Sequence, residues 1–421
     1  MATRLENFTP EPPASRPATR AGVGYSETPN ARQAGAEAAR AALAMAGVAE
    51  PDLALLYATS KADPQALLEG VRSVVGPRAR IAGGSAVGVI TNDRLGYEGH
   101  QVGVAVLASD SVRTDIFIAR DIVDNEFGAG RTLGEQIREH PLQGEPNIVI
   151  AYDIVRRRQE EGMSLNMATP LIAGLGEALG YWPPTAGGGL TGDMMWNPTF
   201  QFLDDAVEQH SALALVLHGG VRMDTVIMHG CKPSSGYRTI TKADGNVVLE
   251  IDGRRAVDVV ADLTGGVAAA DWADYPLFIT LGINNGDRFG PYREDDYSVR
   301  LCMDVDRERG GLVFFGDDLV AGTQVQLMRR SINFDYIHDR TRALLDAQQG
   351  RRPFLALYID CAGRAASYAG TERDEAEEVQ RAIGNDLPLF GWYVGCEIAR
   401  AGGRMQSHNW TGVLCIFSEE V

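Results

Sequence analysis

The chain has 421 residues, 45% of them apolar, and 39 basic against 56 acidic side chains give it a formal charge of -17. At roughly 100 to 200 residues per domain this length excludes a single small module, and the apolar content excludes an unfolded chain. With only Lys61, Lys232 and Lys242 as lysines, the acidic balance argues against nucleic-acid binding through a general cationic surface.

In chain order, residues 1–25 carry arginines and prolines but no apolar core of a signal peptide, and they are expected to form a flexible leader. An apolar strand, DLALLY (52–57), follows, then LLEGVRSVVGPRARIAGGSAVG (67–88) and a return strand, QVGVAVLA (101–108). The same order recurs with NIVIAY (147–152), LIAGLGEALGYWPPTAGGGLTG (171–192) and SALALVLH (211–218). The two middle blocks align without a gap, pairing Gly70 with Gly174, Gly76 with Gly180, Gly83 with Gly187, Gly84 with Gly188 and Gly88 with Gly192. Within the second copy, the basic run Arg156, Arg157, Arg158 ahead of Glu160 and Glu161 reads as a solvated helix start.

Residues 220–331 change character, to short or alternating apolar runs split by Gly, Asn and Asp. A helix is expected from about Asn333 to Gln349, stopping at Gly350. A fainter third copy closes the chain: FLALY (354–358), an acidic helix at 372–383, LPLFGWYVG (387–395) and GVLCIF (412–417). Each copy reads as buried strand, glycine-ended helix, strand, glycine-rich turn and return strand. The expected fold is therefore mixed α/β (α+β), with two domains at 26–235 and 236–421 built around repeated strand-helix-strand-strand units with mixed sheets. Five cysteines without C-x-x-C spacing imply neither a disulfide framework nor a zinc site, which fits a reducing cytoplasm. No run approaches the roughly 20 apolar residues of a membrane helix.

Turns without Cβ atoms can expose backbone N–H groups to an anion, so Gly83, Gly84, Gly187, Gly188 and Gly189 are candidate ligand contacts, with Ser85, Thr191 and Asp193 as polar neighbours. The bland reading is that they only make tight turns. Asp360, Cys361 and Arg364 follow a buried strand, the usual docking place in α/β folds, and Asn284, Asn285 and Asp287 follow another. Arg329 or its neighbour Arg330 could fork onto a carboxylate or pair internally. Ser85 with Lys61 could form a nucleophile pair for amide or ester hydrolysis, although the second copy has Gly189 and Arg156 at those places. Cys361 has no histidine near it in sequence to activate it.

GGGLTGDM (187–194), HGCKP (229–233), NVVLEIDGRRAVDVV (246–260), GTQVQLMRRS (322–331), DCAGR (360–364) and FGWYVGCEIA (390–399) together resemble the FIST family over about residues 30–415. The resemblance implies an N-terminal and a C-terminal FIST domain in an intracellular sensory module for small ligands. It adds Tyr393, Glu397, Asn409 and Trp410 as motif-matching positions. With no room left for an output domain, the expectation is a stand-alone cytoplasmic sensor for an amino acid or small organic anion, acting on a separate partner such as a histidine kinase or cyclase, with homo-oligomerisation left open. One branch of the family is described as a haem-binding nitric oxide sensor that regulates histidine kinases. Haem here would need an axial ligand, for which His229, and after it His218, are the candidates.

Overall fold

The computed structural model describes residues 18–123, 125–159, 162–265, 279–331 and 333–421. The first repeat runs β1 (Arg20–Ser26), α1 (Ala31–Ala46), β2 (Leu53–Ala58), α2 (Pro64–Val75), β3 (Arg80–Ser85), the hairpin β4 (Gly88–Thr91) and β5 (Leu95–Tyr97), and β6 (Val102–Ala108). The second has β7 (Val112–Arg120), α3 (Glu126–Glu139), β8 (Asn147–Asp153), a side hairpin β9 (Val155–Gln159) and β10 (Gly162–Leu165), and α4 (Ala168–Leu179). It continues through β11 (Thr185–Leu190), the hairpin β12 (Gln201–Leu203) and β13 (Ala206–Glu208), and β14 (Ser211–Gly219).

The third repeat opens with β15 (Val221–Met228) and is interrupted at once. The inserted segment holds β16 (Cys231–Pro233), β17 (Arg238–Asp244), β18 (Val247–Ile251), β19 (Arg254–Arg255), α5 (Ala256–Leu263), β20 (Thr280–Asn284), β21 (Tyr297–Asp306), β22 (Gly311–Phe314) and β23 (Gln324–Arg330). The repeat then resumes with the helix Asp335–Asp346, β24 (Arg351–Cys361), the helix Ala376–Ile383, β25 (Leu389–Val394), the hairpin β26 (Cys396–Ala401) and β27 (Arg404–His408), and β28 (Gly412–Glu420).

The mixed α/β architecture matches the sequence reading, and the repeats are longer than their visible parts. Each contributes four strands to one six-stranded sheet and passes its hairpin to a neighbour. The orders are β1-β6-β2-β3-β12-β13, β7-β14-β8-β11-β26-β27 and β15-β28-β24-β25-β4-β5. The first sheet thus receives the hairpin of the second repeat, the second that of the third, and the third that of the first. Apolar residues from all three sheets share one central core, including Leu55, Tyr57, Val149, Ala151, Leu357 and Trp392. There Tyr57 stacks on Trp392 with centroids 4.1 Å apart and planes 7° apart. The outer faces are covered by helix pairs over separate cores. The insert forms its own sheet, and the pairing of β20 with β23 closes it on itself around Ile240, Val248, Leu312 and Val325.

Several expectations change. Arg20–Tyr25, assigned to the leader, lies in β1, which pairs residue for residue with β6; residues 1–17 lie outside the described residues. A cut between 235 and 236 does not follow the sheets, because β15 pairs along its length with β28 at the end of the chain. The run Val155–Gln159 is a strand, not a helix start. The glycine ends are as expected: Gly76, Gly180 and Gly384 close helices at positive φ.

Candidate functional site

Gly83, Gly84, Gly187, Gly188 and Gly189 are not in turns. They lie inside β3 and β11, the third strands of their repeats, with their backbones in the sheet ladders. A Cβ at Gly83, whose φ is +143°, would stand 1.9 Å from the Leu56 carbonyl oxygen, and one at Gly187 would stand 2.3 Å from that of Ile150. Glycine is needed there for strand approach, so these positions offer no anion cradle. Ser85 is fully buried and its hydroxyl accepts from the Phe200 N–H at 2.9 Å. Lys61 is exposed and donates to the Glu98 carbonyl. Each member of the supposed nucleophile pair has its own partner, and no hydrogen bond joins the two.

The strand-end residues of the third repeat do assemble. Asp360, near the end of β24, is fully buried. Its Oδ1 accepts from the Cys361 N–H at 3.0 Å and lies 2.9 Å from Nε of Arg364, while Oδ2 has no hydrogen-bond partner. Burial pushes its carboxyl up to about 6, and the Arg364 charge offsets only part of that. Arg364, also fully buried, donates to the Trp410 carbonyl at 3.0 Å and lies 2.6 Å from Glu375. Glu375, just ahead of the helix Ala376–Ile383, holds a second guanidinium, that of Arg330, and accepts from the Tyr336 hydroxyl at 3.3 Å.

Arg330 lies 4.2 Å above the Trp410 ring. Burial, then the neighbouring Arg364 charge, lower it to about 10. Trp410 takes the left-handed conformation, with φ +53°, and its buried Nε1 has no hydrogen-bond partner; strain of this kind gathers at binding sites.

Glu397 enters from the donated hairpin. It is fully buried, Oε2 accepts from the Thr411 N–H at 3.2 Å, and Oε1 is unpartnered. Burial, then the Asp360 charge, hold its carboxyl well above the usual range. Cys361 touches the same group, and burial raises its thiol far from the reactive range. Thr191, whose buried hydroxyl also lacks a partner, packs against Gly395 at the bend before β26. Tyr393 faces Asp374, hydroxyl to carboxylate at 3.5 Å. Asn409 takes the Leu301 N–H on its Oδ1 at 3.0 Å and so ties the cluster to the insert.

Other candidates lie elsewhere. Arg329 is exposed, and its neighbour Arg330 occupies the cluster. Asn284 donates to the Tyr237 hydroxyl, Asn285 to the Ile283 and Asp296 carbonyls and Ser298, and exposed Asp287 accepts from the Phe289 N–H, all within the insert. Asp193 folds its own turn through Met195 and Asn197 and accepts from Ser60. Glu375 and Tyr336 escaped the sequence reading. The acidic run around Glu375 looks solvated, and its only signal was its place beside a buried strand end.

The histidines do not suit haem. His229 is fully buried; its Nδ1 accepts from the Cys231 N–H at 2.9 Å and its Nε2 faces the Glu294 carbonyl at 3.2 Å. His218 is held by the Gln143 N–H and by Asp115 at 2.8 Å. With both ring nitrogens engaged, neither offers a lone pair to iron.

The family model of the FIST N domain matches residues 52–254 and that of the FIST C domain residues 256–400. Similar proteins include an uncharacterized protein of Mycobacterium bovis, 25% identical over 414 residues, covering 96% of this chain and 100% of the relative. An uncharacterized protein of Mycobacterium tuberculosis is 25% identical over 410 residues, covering 94% and 99%. Among solved structures, a cyanuric acid hydrolase from A. caulinodans aligns with a TM-score of 0.28 and 11% identity over 48% of this chain and 72% of its own.

Proposed function

The chain belongs to the FIST family, a family associated with sensory and signal-transduction roles, and on that premise we propose that it senses a small ligand bearing both a carboxylate and an amino group, at the buried cluster between the third repeat and the insert. The observation that carries this reading is the incomplete hydrogen bonding of Asp360 Oδ2, Glu397 Oε1 and Trp410 Nε1, all buried near the Arg364 and Arg330 guanidinium groups. Buried polar atoms are nearly always paired, so several orphans in one place call for an occupant. An amino acid suits the mixture: its ammonium meets the free oxygens of Asp360 and Glu397, and its carboxylate meets Arg330, whose side chain is 22% exposed and stands nearest to solvent. Entry requires the insert to move on the three-sheet body, and a signalling partner such as a histidine kinase or cyclase in the cytoplasm reads that displacement.

A thermal-denaturation screen against the proteinogenic amino acids and short organic acids tests the proposal. A cognate ligand at one hundred times its Kd adds about 2.7 kcal/mol, a shift of a few degrees. The shift should vanish in Arg330→Met and persist in Arg329→Met, the exposed neighbour. No shift with any compound, or an equal shift in both variants, would falsify the assignment.

A further inference from the structure

A groove of about 540 Å³ lies on the seam between the insert and the three-sheet body, and it is separate in its residues from the acid-arginine cluster. One wall is Trp182, fixed in place: a Cβ at Gly176 would stand 2.8 Å from its ring, and its carbonyl accepts from Arg400. Met405 of β27 and Ile283 of β20 add apolar surface, one from each body. The polar groups are neutral amides, Asn285 and Gln406, together with hydroxyls. The single carboxylate at the rim, Asp318, faces the Arg300 guanidinium with both oxygens, so its charge is already matched.

We infer that this groove is a second binding site, for an uncharged planar heteroaromatic molecule of nucleobase size. The volume falls in the range of small-ligand pockets. An indole wall favours a flat ring, and the Gln406 amide together with the Asn285 carbonyl oxygen, the Asn285 NH2 being engaged within the insert, offers a donor and acceptors to a heterocycle's edge. The neutralised Asp318 and the lack of a second charge on the lining disfavour an ion. An occupant would touch both bodies at once and clamp the insert in place.

Titration calorimetry with adenosine, guanosine and uridine, used as the probes, decides the matter. At least one should bind with Kd below about 1 mM. Ala173→Trp, which fills the groove from an exposed position on α4, should abolish that binding, and Trp182→Leu should weaken it by about tenfold. Circular dichroism serves to show that both variants fold. Arg330→Met should keep nucleoside binding while losing any amino-acid response, which separates this site from the other. No binding of the three by the intact protein, or undiminished binding by folded Ala173→Trp, overturns the inference.

Discussion

Asp153 at the end of β8 and Asp360 near the end of β24 occupy the equivalent middle strands of the second and third repeats. Both are buried, and burial pushes both carboxyls to about 6. Their surroundings differ. Asp153 has both oxygens occupied, Oδ1 by the Thr199 hydroxyl at 2.9 Å and Oδ2 by the Ser211 N–H at 3.1 Å. Asp360 keeps one oxygen free beside a buried arginine. A raised carboxyl therefore marks burial alone, and the unpartnered oxygen is what sets Asp360 apart from Asp153. The same frame carries both, and the third repeat departs from it where the insert meets the strand ends.

The strongest blow to the third repeat should come from Arg364→Ala, which leaves Asp360 and Glu375 buried without this partner. A loss of about 3–5 kcal/mol is expected in urea unfolding, and a loss under 1 would show the cluster to be solvated. Next, the same substitution at the two aspartates tests the contrast directly. Asp153→Asn replaces a doubly accepting carboxylate with a group that accepts on one side only, at a cost of about 1–3 kcal/mol. Asp360→Asn should cost about 1 kcal/mol or less, because its amide can take the unpartnered side while Arg364 retains Glu375. Equal losses would erase the distinction drawn here.

A third test concerns pH. Each carboxyl takes up a proton more readily in the folded chain than in the unfolded one. Its stabilising contribution is thus complete below about pH 4 and is lost as pH rises through about 6, with a slope of at most about 1.4 kcal/mol per pH unit and group. Unfolding midpoints measured from pH 4 to 7 should show a flatter decline in either Asn variant than in the parent chain.

Much of the fold was legible because matched glycines at fixed spacing reflect backbone contacts that only glycine permits. The same residues misled about the site: Gly83 and Gly187 read as turns, since sequence shows the missing Cβ but not the neighbouring carbonyl that demands it. Asp360, Arg364, Tyr393 and Glu397 could be found because they sit at strand ends and in family motifs. Choosing Arg330 over Arg329 required knowing which face of β23 meets the cluster. Glu375 was hidden in an acidic run, and the start of the third repeat lay a hundred residues from the rest of it, across the insert.

The circular gift of hairpins bears on how the chain is made. Until residues 201–208 emerge from the ribosome, β3 has a bare edge, and β11 waits in the same way for 396–408. The first repeat's own hairpin, meanwhile, has no host before β25 is synthesised. Such long-range pairing is slow to form and leaves open strand edges inviting aggregation. Fragments ending after the first or second repeat should therefore be insoluble on their own, and full-length translation should be the point at which the molecule becomes protease-resistant.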